Sequence, residues 1–189
     1  MLLLTYLLSQ EPMSSTPARS LNDVNLPAVA ALTAAVQSSP QAAQTIWKAD
    51  VEWTGAFTSQ VRVRDFPAYK SDEPTALGGG NTAPNPVEQL LGALGNCLAV
   101  GYAANASVEG ITIRDLQISL EGNIDLRTFL GLAQDHAGYQ AIRVLVKLDT
   151  DASPEKVAAL HRKVTGSSPV GHTLERAIPL TIELAKPEN

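Results

Sequence analysis

The stretch GGGNTAPNPVEQLLGALGNCLAVGYAANASVEG, residues 78–110, decides the fold of this chain. A polar, glycine-rich segment passes directly into a long apolar one. Asn85 suits the N-cap of a helix, Pro86 suits its first position, and Glu88 completes a capping-box pattern. These signals predict a helix from Pro86 to about Val108, which the following glycine ends.

This helix is almost free of polar side chains, since Asn96 and Asn105 are its only strongly polar residues between Leu90 and Ala106. A helix that is apolar all round is typical of a core element, and its glycines and asparagines argue against a membrane span. Small residues recur along one stripe: Gly92, Gly95, Asn96, Ala99 and Ala103. Glycine weakens a helix, so the stripe indicates either close approach of another backbone or loose packing beneath a sheet.

The chain contains one cysteine, Cys97, in the middle of this helix. One cysteine cannot form an internal disulfide, which fits a reducing cytoplasm. A buried cysteine usually only packs, and a reactive thiolate needs a positive partner. The helix dipole has faded about three turns into the helix, so the nearest basic candidates along the chain are Arg62 and Arg64.

The segments on either side of the central helix predict an α+β fold. Period-two alternation indicates a hairpin over residues 47–64, in which Arg62 and Arg64 share one face, and further strands near residues 111–122, 139–150 and 178–185. Residues 67–86 form a long Pro- and Gly-rich loop of the kind that is often functional. Ser153 and the proline after it predict a second helix, and SSPVGHTLERA predicts a turn or a helical fragment.

The predicted organisation is an N-terminal tail over residues 1–26, a short helical extension over 27–46 and one domain over 47–189. The opening run MLLLTYLL lacks a basic flank and a cleavage site, and it is too short to span a bilayer. We therefore expect a cytoplasmic protein whose N-terminus is a tail, or whose true start is Met13.

Composition disfavours several function classes. The net charge of −5 and the absence of a Lys/Arg cluster argue against a nucleic-acid partner. The three histidines, His136, His161 and His172, are too dispersed for a typical metal site, and neither a metal nor another cofactor is expected. The pair Ser168 and His172 lacks an orienting acid, and the loop carboxylates are expected to be solvated: Asp72, Glu73, Glu121 and Asp125.

Three runs carry a family resemblance: SDEPTALGGGNTAPNPVEQLLGALGNCLAVGYAANASVEGI, LEGNIDLRTFLGL and SPVGHTL. Together they resemble the OsmC/Ohr family of thiol-dependent hydroperoxide reductases, over a region from about Trp47 to the C-terminus. The resemblance implies an intertwined homodimer in which antiparallel sheets of both chains wrap around long central helices. That arrangement would account for the stripe of small residues.

The resemblance also implies a chemistry. Cys97 matches the cysteine that attacks the peroxide and becomes a sulfenic acid, whereas Ser168 stands where a resolving cysteine would fall. An external thiol would then act as the resolver. Arg64 is the candidate electrostatic partner of Cys97. The acid expected directly after Asn-Pro is displaced by one residue to Glu88, on the opposite side of the helix from Cys97, where it suits a cap.

The alternative function is a non-catalytic protein that binds a small apolar or stress-related ligand. In that case Cys97 is a structural thiol.

Overall fold

The computed structural model of this chain describes residues 20–185. The apolar run at the N-terminus and Met13 lie outside the described residues. The architecture is α+β with two antiparallel sheets, as the sequence predicted, and the two-stranded sheet packs against a long central helix.

The first part of the chain forms a helix and a small sheet. Helix α1 spans Leu26–Ser38 and begins at Asn25, whose side chain accepts a hydrogen bond from the Ala28 amide. The three-stranded antiparallel sheet follows in the order β1-β2-β3. Its strands are β1 (Asp50–Gly55), β2 (Thr58–Arg62) and β3 (Tyr69–Ser71). The predicted hairpin is therefore confirmed, whereas β3 was not expected, because three residues are too few to show a period.

The central helix α2 spans Pro86–Val108 and begins with the predicted capping box. The Asn85 side chain accepts from the Glu88 amide at 2.9 Å, and the Glu88 carboxylate accepts from the Asn85 amide at 2.9 Å. Both donors are backbone groups that a helix start leaves without an internal partner. The sequence thus fixes this boundary locally.

The second part of the chain covers one face of α2. Strands β4 (Ile113–Ile124) and β5 (Tyr139–Thr150) form a long antiparallel ribbon. Helix α3 (Pro154–Thr165) begins at the Ser153 cap, and the short helix α4 (Pro169–Glu175) begins at Ser168. The ribbon and α3 both pack against α2.

The core is a narrow stripe along α2. Leu94, Leu98, Tyr102 and Ala106 recur every four residues, which places them on one helix face, and all four are buried. Leu160 and Val164 of α3 complete this core, and the inward side chains of the ribbon pack against it. Val100, on another face of α2, is 69% exposed. Helix α2 is apolar on several faces, and one chain buries only one of them.

The segment 178–185 was expected to be the last strand, but it pairs with no described strand. Its alternating apolar residues, Ile178, Leu180, Ile182 and Leu184, are all exposed. Period-two alternation predicts an extended backbone, but a strand also needs an available neighbouring edge. Among residues 20–185, no helix combines the length and hydropathy that crossing a membrane requires.

Candidate functional site

Cys97 lies on α2 and is half-buried, and its side chain contacts Ser168, which is distant in sequence. The Cys97 Sγ and Ser168 Oγ atoms are 3.3 Å apart, within hydrogen-bonding distance for sulfur. A cavity of about 390 Å³ opens beside them, with apolar walls from Val100, Val164 and Pro169. The thiol thus faces a mostly apolar space with one hydroxyl beside it.

Two local features bring Ser168 to this position. Helix α3 approaches α2 closely at Gly101, where a Cβ atom would lie 2.9 Å from Val164 Cγ1. The chain then turns into α4, and the Ser168 Oγ caps it by accepting from the Gly171 amide at 3.1 Å. Because that amide occupies a lone pair, the hydroxyl proton remains available for the Cys97 sulfur. Ser168 is buried, whereas Cys97 is half-buried.

Within one chain the structure does not bring Arg64 to Cys97. The chain leaves β2 before Arg64, whose φ of 50° places it in the left-handed region, so the expected alternation with Arg62 stops there. The Arg64 guanidinium carbon lies 4.7 Å from the centre of the Phe66 ring, an intrachain cation–π contact. Arg62 lies 3.6 Å from the Glu52 carboxylate. The described residues around the Cys97 cavity include no basic side chain.

The glycine-rich loop before α2 is organised by Asp72, which was expected to be solvated but is buried. Its carboxylate accepts from the amides of Glu73, Gly80 and Thr82 at 2.8, 3.2 and 3.0 Å, and from the Thr82 hydroxyl at 2.8 Å. These bonds favour the ionised form and lower the pKa of Asp72 to about 2, with the Thr82 amide as the largest cause. Four donors explain why the carboxylate is buried without a cation.

A second polar contact between α2 and α3 was not predicted. The buried Tyr102 hydroxyl is hydrogen-bonded to His161 Nδ1, and the two rings are stacked with centroids 6.1 Å apart. Burial raises the pKa of Tyr102, so the phenol keeps its proton at neutral pH. The two residues are far apart in sequence, and no local pattern marks their contact.

A larger cavity of about 670 Å³ lies between α2, β5, α3 and α4, and Ser168 lines both cavities. Its walls are mainly the apolar side chains of α2 and β5. In the described part of the chain, no group of three or more His, Cys, Asp or Glu side chains is arranged to hold a metal ion.

The model of the OsmC-like protein family matches residues 78–183, which is more than half of the chain. The chain belongs to the OsmC-like family. The matched region contains α2, Cys97, the ribbon, α3 and Ser168. No curated protein matches the sequence.

Solved OsmC-like structures share the fold at low sequence identity. An OsmC-like protein from Mycoplasma pneumoniae is 16% identical with a TM-score of 0.60, covering 70% of this chain and 89% of its own. The organic hydroperoxide resistance protein OsmC from Legionella pneumophila is 18% identical, with a TM-score of 0.54 and coverages of 70% and 90%. A Vibrio cholerae structure is described as an organic hydroperoxide resistance protein with captopril in one of its active sites. It is 15% identical, with a TM-score of 0.52, and the match covers 70% of this chain and 87% of its own.

Proposed function

We propose that this OsmC-like protein is a cytoplasmic, homodimeric thiol peroxidase that reduces organic hydroperoxides through Cys97. The observation that carries the proposal is the placement of the chain's one cysteine, half-buried at an apolar cavity and beside a buried hydroxyl. Hydroperoxide resistance in the names of two proteins with this fold supports the same chemistry.

The reaction begins with attack of the Cys97 thiolate on the terminal oxygen of the hydroperoxide. An S–O bond forms, the O–O bond breaks, and the alkoxide takes up a proton and leaves as the alcohol, so the sulfur is oxidised to sulfenic acid. The Ser168 hydroxyl can donate a hydrogen bond to the sulfur at 3.3 Å during this step. The apolar walls suit the carbon chain of an organic peroxide better than hydrogen peroxide.

Regeneration requires thiols from outside the chain, because serine at position 168 cannot form a disulfide. A first small thiol condenses with the sulfenic acid, releasing water and leaving a mixed disulfide. A second thiol attacks that disulfide, restores the Cys97 thiol and leaves as a disulfide with the first. Two electrons thus pass from two thiols to one peroxide.

The proposed homodimer is supported by the apolar surface that one chain leaves uncovered. Exposed apolar side chains occur on β1, on α2 and in the C-terminal segment, including Trp53, Val100 and Leu180. Exposed apolar side chains on several elements of one chain are typical of a surface that binds another protein chain.

We propose further that Arg64 is the electrostatic partner of Cys97 in this homodimer. Among the described residues of one chain, none that lines the Cys97 cavity is basic, and the exposed Arg64 side chain contacts Phe66. A second copy could supply the missing cation. Replacing Arg64 with Gln should slow peroxide reduction by roughly tenfold, because the thiolate loses a charge partner. The matched variant Arg62→Gln removes the contact with Glu52 and should leave the rate unchanged.

The decisive experiment measures consumption of cumene hydroperoxide in the presence of a small thiol, together with trapping of the sulfenic acid by dimedone. The Cys97→Ser variant should lose at least roughly 100-fold in rate and should not be labelled. If wild-type Cys97 stays unlabelled and no thiol supports peroxide consumption, the proposal is wrong.

The variant Ser168→Cys tests the requirement for an external resolver. With the two side-chain atoms 3.3 Å apart in the native chain, a cysteine at position 168 should form a disulfide with Cys97 after one peroxide turnover. Non-reducing mass spectrometry should then show loss of two hydrogens from the variant and a mixed disulfide from the wild type.

The second candidate function is ligand binding with a structural Cys97. The neutral surroundings of the sulfur within one chain favour it. It predicts that the native thiol resists alkylation near pH 7 and that Cys97→Ser leaves ligand binding intact.

A further inference from the structure

The cavity between α2, β5, α3 and α4 has the composition of a small-molecule site. Leu90, Leu94 and Leu98 form its wall on α2, and Ile142, Val144 and Val146 form its wall on β5. Its volume of about 670 Å³ falls within the range of ligand pockets. Polar side chains from α3 and α4 lie at one side, among them His161, Thr165 and Glu175.

The contact with Tyr102 suits the His161 tautomer that carries its proton on Nε2. The buried Tyr102 hydroxyl has no other described partner, and it can donate its proton to His161 Nδ1 in that tautomer. In a neutral imidazole whose Nδ1 accepts, the proton resides on Nε2. His161 is exposed and its ring lines the cavity, so the Nε2–H group is a donor available to a ligand there.

The charges around the cavity select against an anionic ligand. Its described lining contains one carboxylate, Glu175, two histidines, His136 and His161, and no lysine or arginine. The chain carries a net charge of −5. A carboxylate would have to enter beside Glu175 without a fixed cation to receive it. A neutral oxygen acceptor meets no such penalty.

We infer that this cavity binds a neutral apolar molecule with a hydrogen-bond-accepting oxygen, such as a medium-chain ketone, aldehyde or ester. The carbon chain lies along the leucines of α2, and the oxygen accepts a hydrogen bond from His161 Nε2. The binding is independent of Cys97, which lines the smaller cavity on the other side of Ser168.

The experiment uses 2-nonanone as the probe, titrated into the full-length protein in its solution assembly and followed by isotope-edited NMR. Saturable shifts are expected at Leu94, Val144 and His161, with nonanoate binding roughly tenfold more weakly. Absence of saturable 2-nonanone binding in the assembled protein overturns the inference and means that the cavity is closed or filled by another part of the assembly.

Three variants identify the site. Leu90→Trp should fill the cavity and weaken 2-nonanone binding at least roughly tenfold. Leu90 lies on the cavity wall and is 39% exposed, so the larger side chain does not have to fit into the buried core. His161→Phe should weaken binding roughly fivefold, whereas His172→Phe, outside the cavity, should not change it. Equal affinity of wild type and both Leu90→Trp and His161→Phe contradicts the site.

The variant Cys97→Ser separates this inference from the proposed peroxidase function. It should retain 2-nonanone binding while losing peroxide reduction. Loss of ketone binding in Cys97→Ser would mean that the probe occupies the Cys97 cavity instead.

Discussion

The loop over residues 71–84 and the Cys97 cavity differ in how many polar contacts one chain provides to their central side chains. In the loop, the Asp72 carboxylate collects four hydrogen bonds from nearby residues, and the Ser71 hydroxyl donates to the Pro84 carbonyl at 3.2 Å. At the cavity, Cys97 has one described side-chain hydrogen-bond partner, Ser168, and Val100 of α2 is exposed beside it.

The difference separates a region whose polar contacts come from one chain from a region whose surroundings leave contacts open to a second chain. The Asp72 carboxylate of the loop is satisfied by backbone amides and one hydroxyl from residues close to it in sequence. The cavity beside Cys97 is mostly apolar, and none of its lining residues in the described part of the chain supplies the positive charge that a reactive thiolate needs. We therefore expect changes in the loop to act on stability and changes at the cavity to act mainly on chemistry.

The largest effect is expected from Gly79→Ala in the loop. A Cβ atom there would lie 1.9 Å from the Glu73 carbonyl oxygen, a backbone atom that also accepts from the Asn81 amide. The loop must open to relieve the overlap, so the free energy of unfolding should fall by about 3 kcal/mol or more in urea titrations. Thr75→Ala, exposed in the same loop, should change it by less than about 0.5 kcal/mol. Equal stability of the two variants would show that the loop is not built as described.

An intermediate effect is expected from acid and from Asp72→Asn. The pKa of Asp72 is lowered to about 2 from 3.8, so the unfolded chain binds more protons between these values. The stabilisation is therefore complete above the unfolded pKa and is lost as the pH falls from about 4 to about 2. Urea titrations at pH 7, 4 and 2.5 should show a stability gap between wild type and Asp72→Asn that narrows with falling pH. The exposed Asp65→Asn variant should show no such gap, and a gap independent of pH contradicts the ionised network.

The smallest effect is expected from Ser168→Ala at the cavity. The variant removes the N-cap of α4 and should cost about 1 kcal/mol of unfolding free energy. It also removes the hydroxyl beside the sulfur, so alkylation of Cys97 by iodoacetamide should slow by roughly threefold. Ser153→Ala removes the cap of α3 at similar cost without touching Cys97. If both variants alkylate at the wild-type rate, the Ser168 contact does not act on the thiol.

Much of the fold could be predicted from local signals. The start of α2 follows from Asn85, Pro86 and Glu88, which satisfy the first helical turn locally. The ribbon follows from alternation over long strands. The prediction of a strand over residues 178–185 was wrong for the described chain, because alternation of apolar residues does not supply a neighbouring strand edge to pair with. The burial of Asp72 was missed because its donors at Gly80 and Thr82 are brought to it only when the loop closes.

The sequence by itself determined the helix that carries Cys97, the serine in place of a second cysteine, and the family through the residues around them. These features depend on residue type and on interactions between residues close in sequence, such as backbone sterics and helix capping. The tertiary structure decided that Ser168 lies 3.3 Å from the sulfur, that Tyr102 orients His161, and that Arg64 contacts Phe66. Such contacts depend on how helices and sheet pack over long separations, and packing is a property of the whole chain.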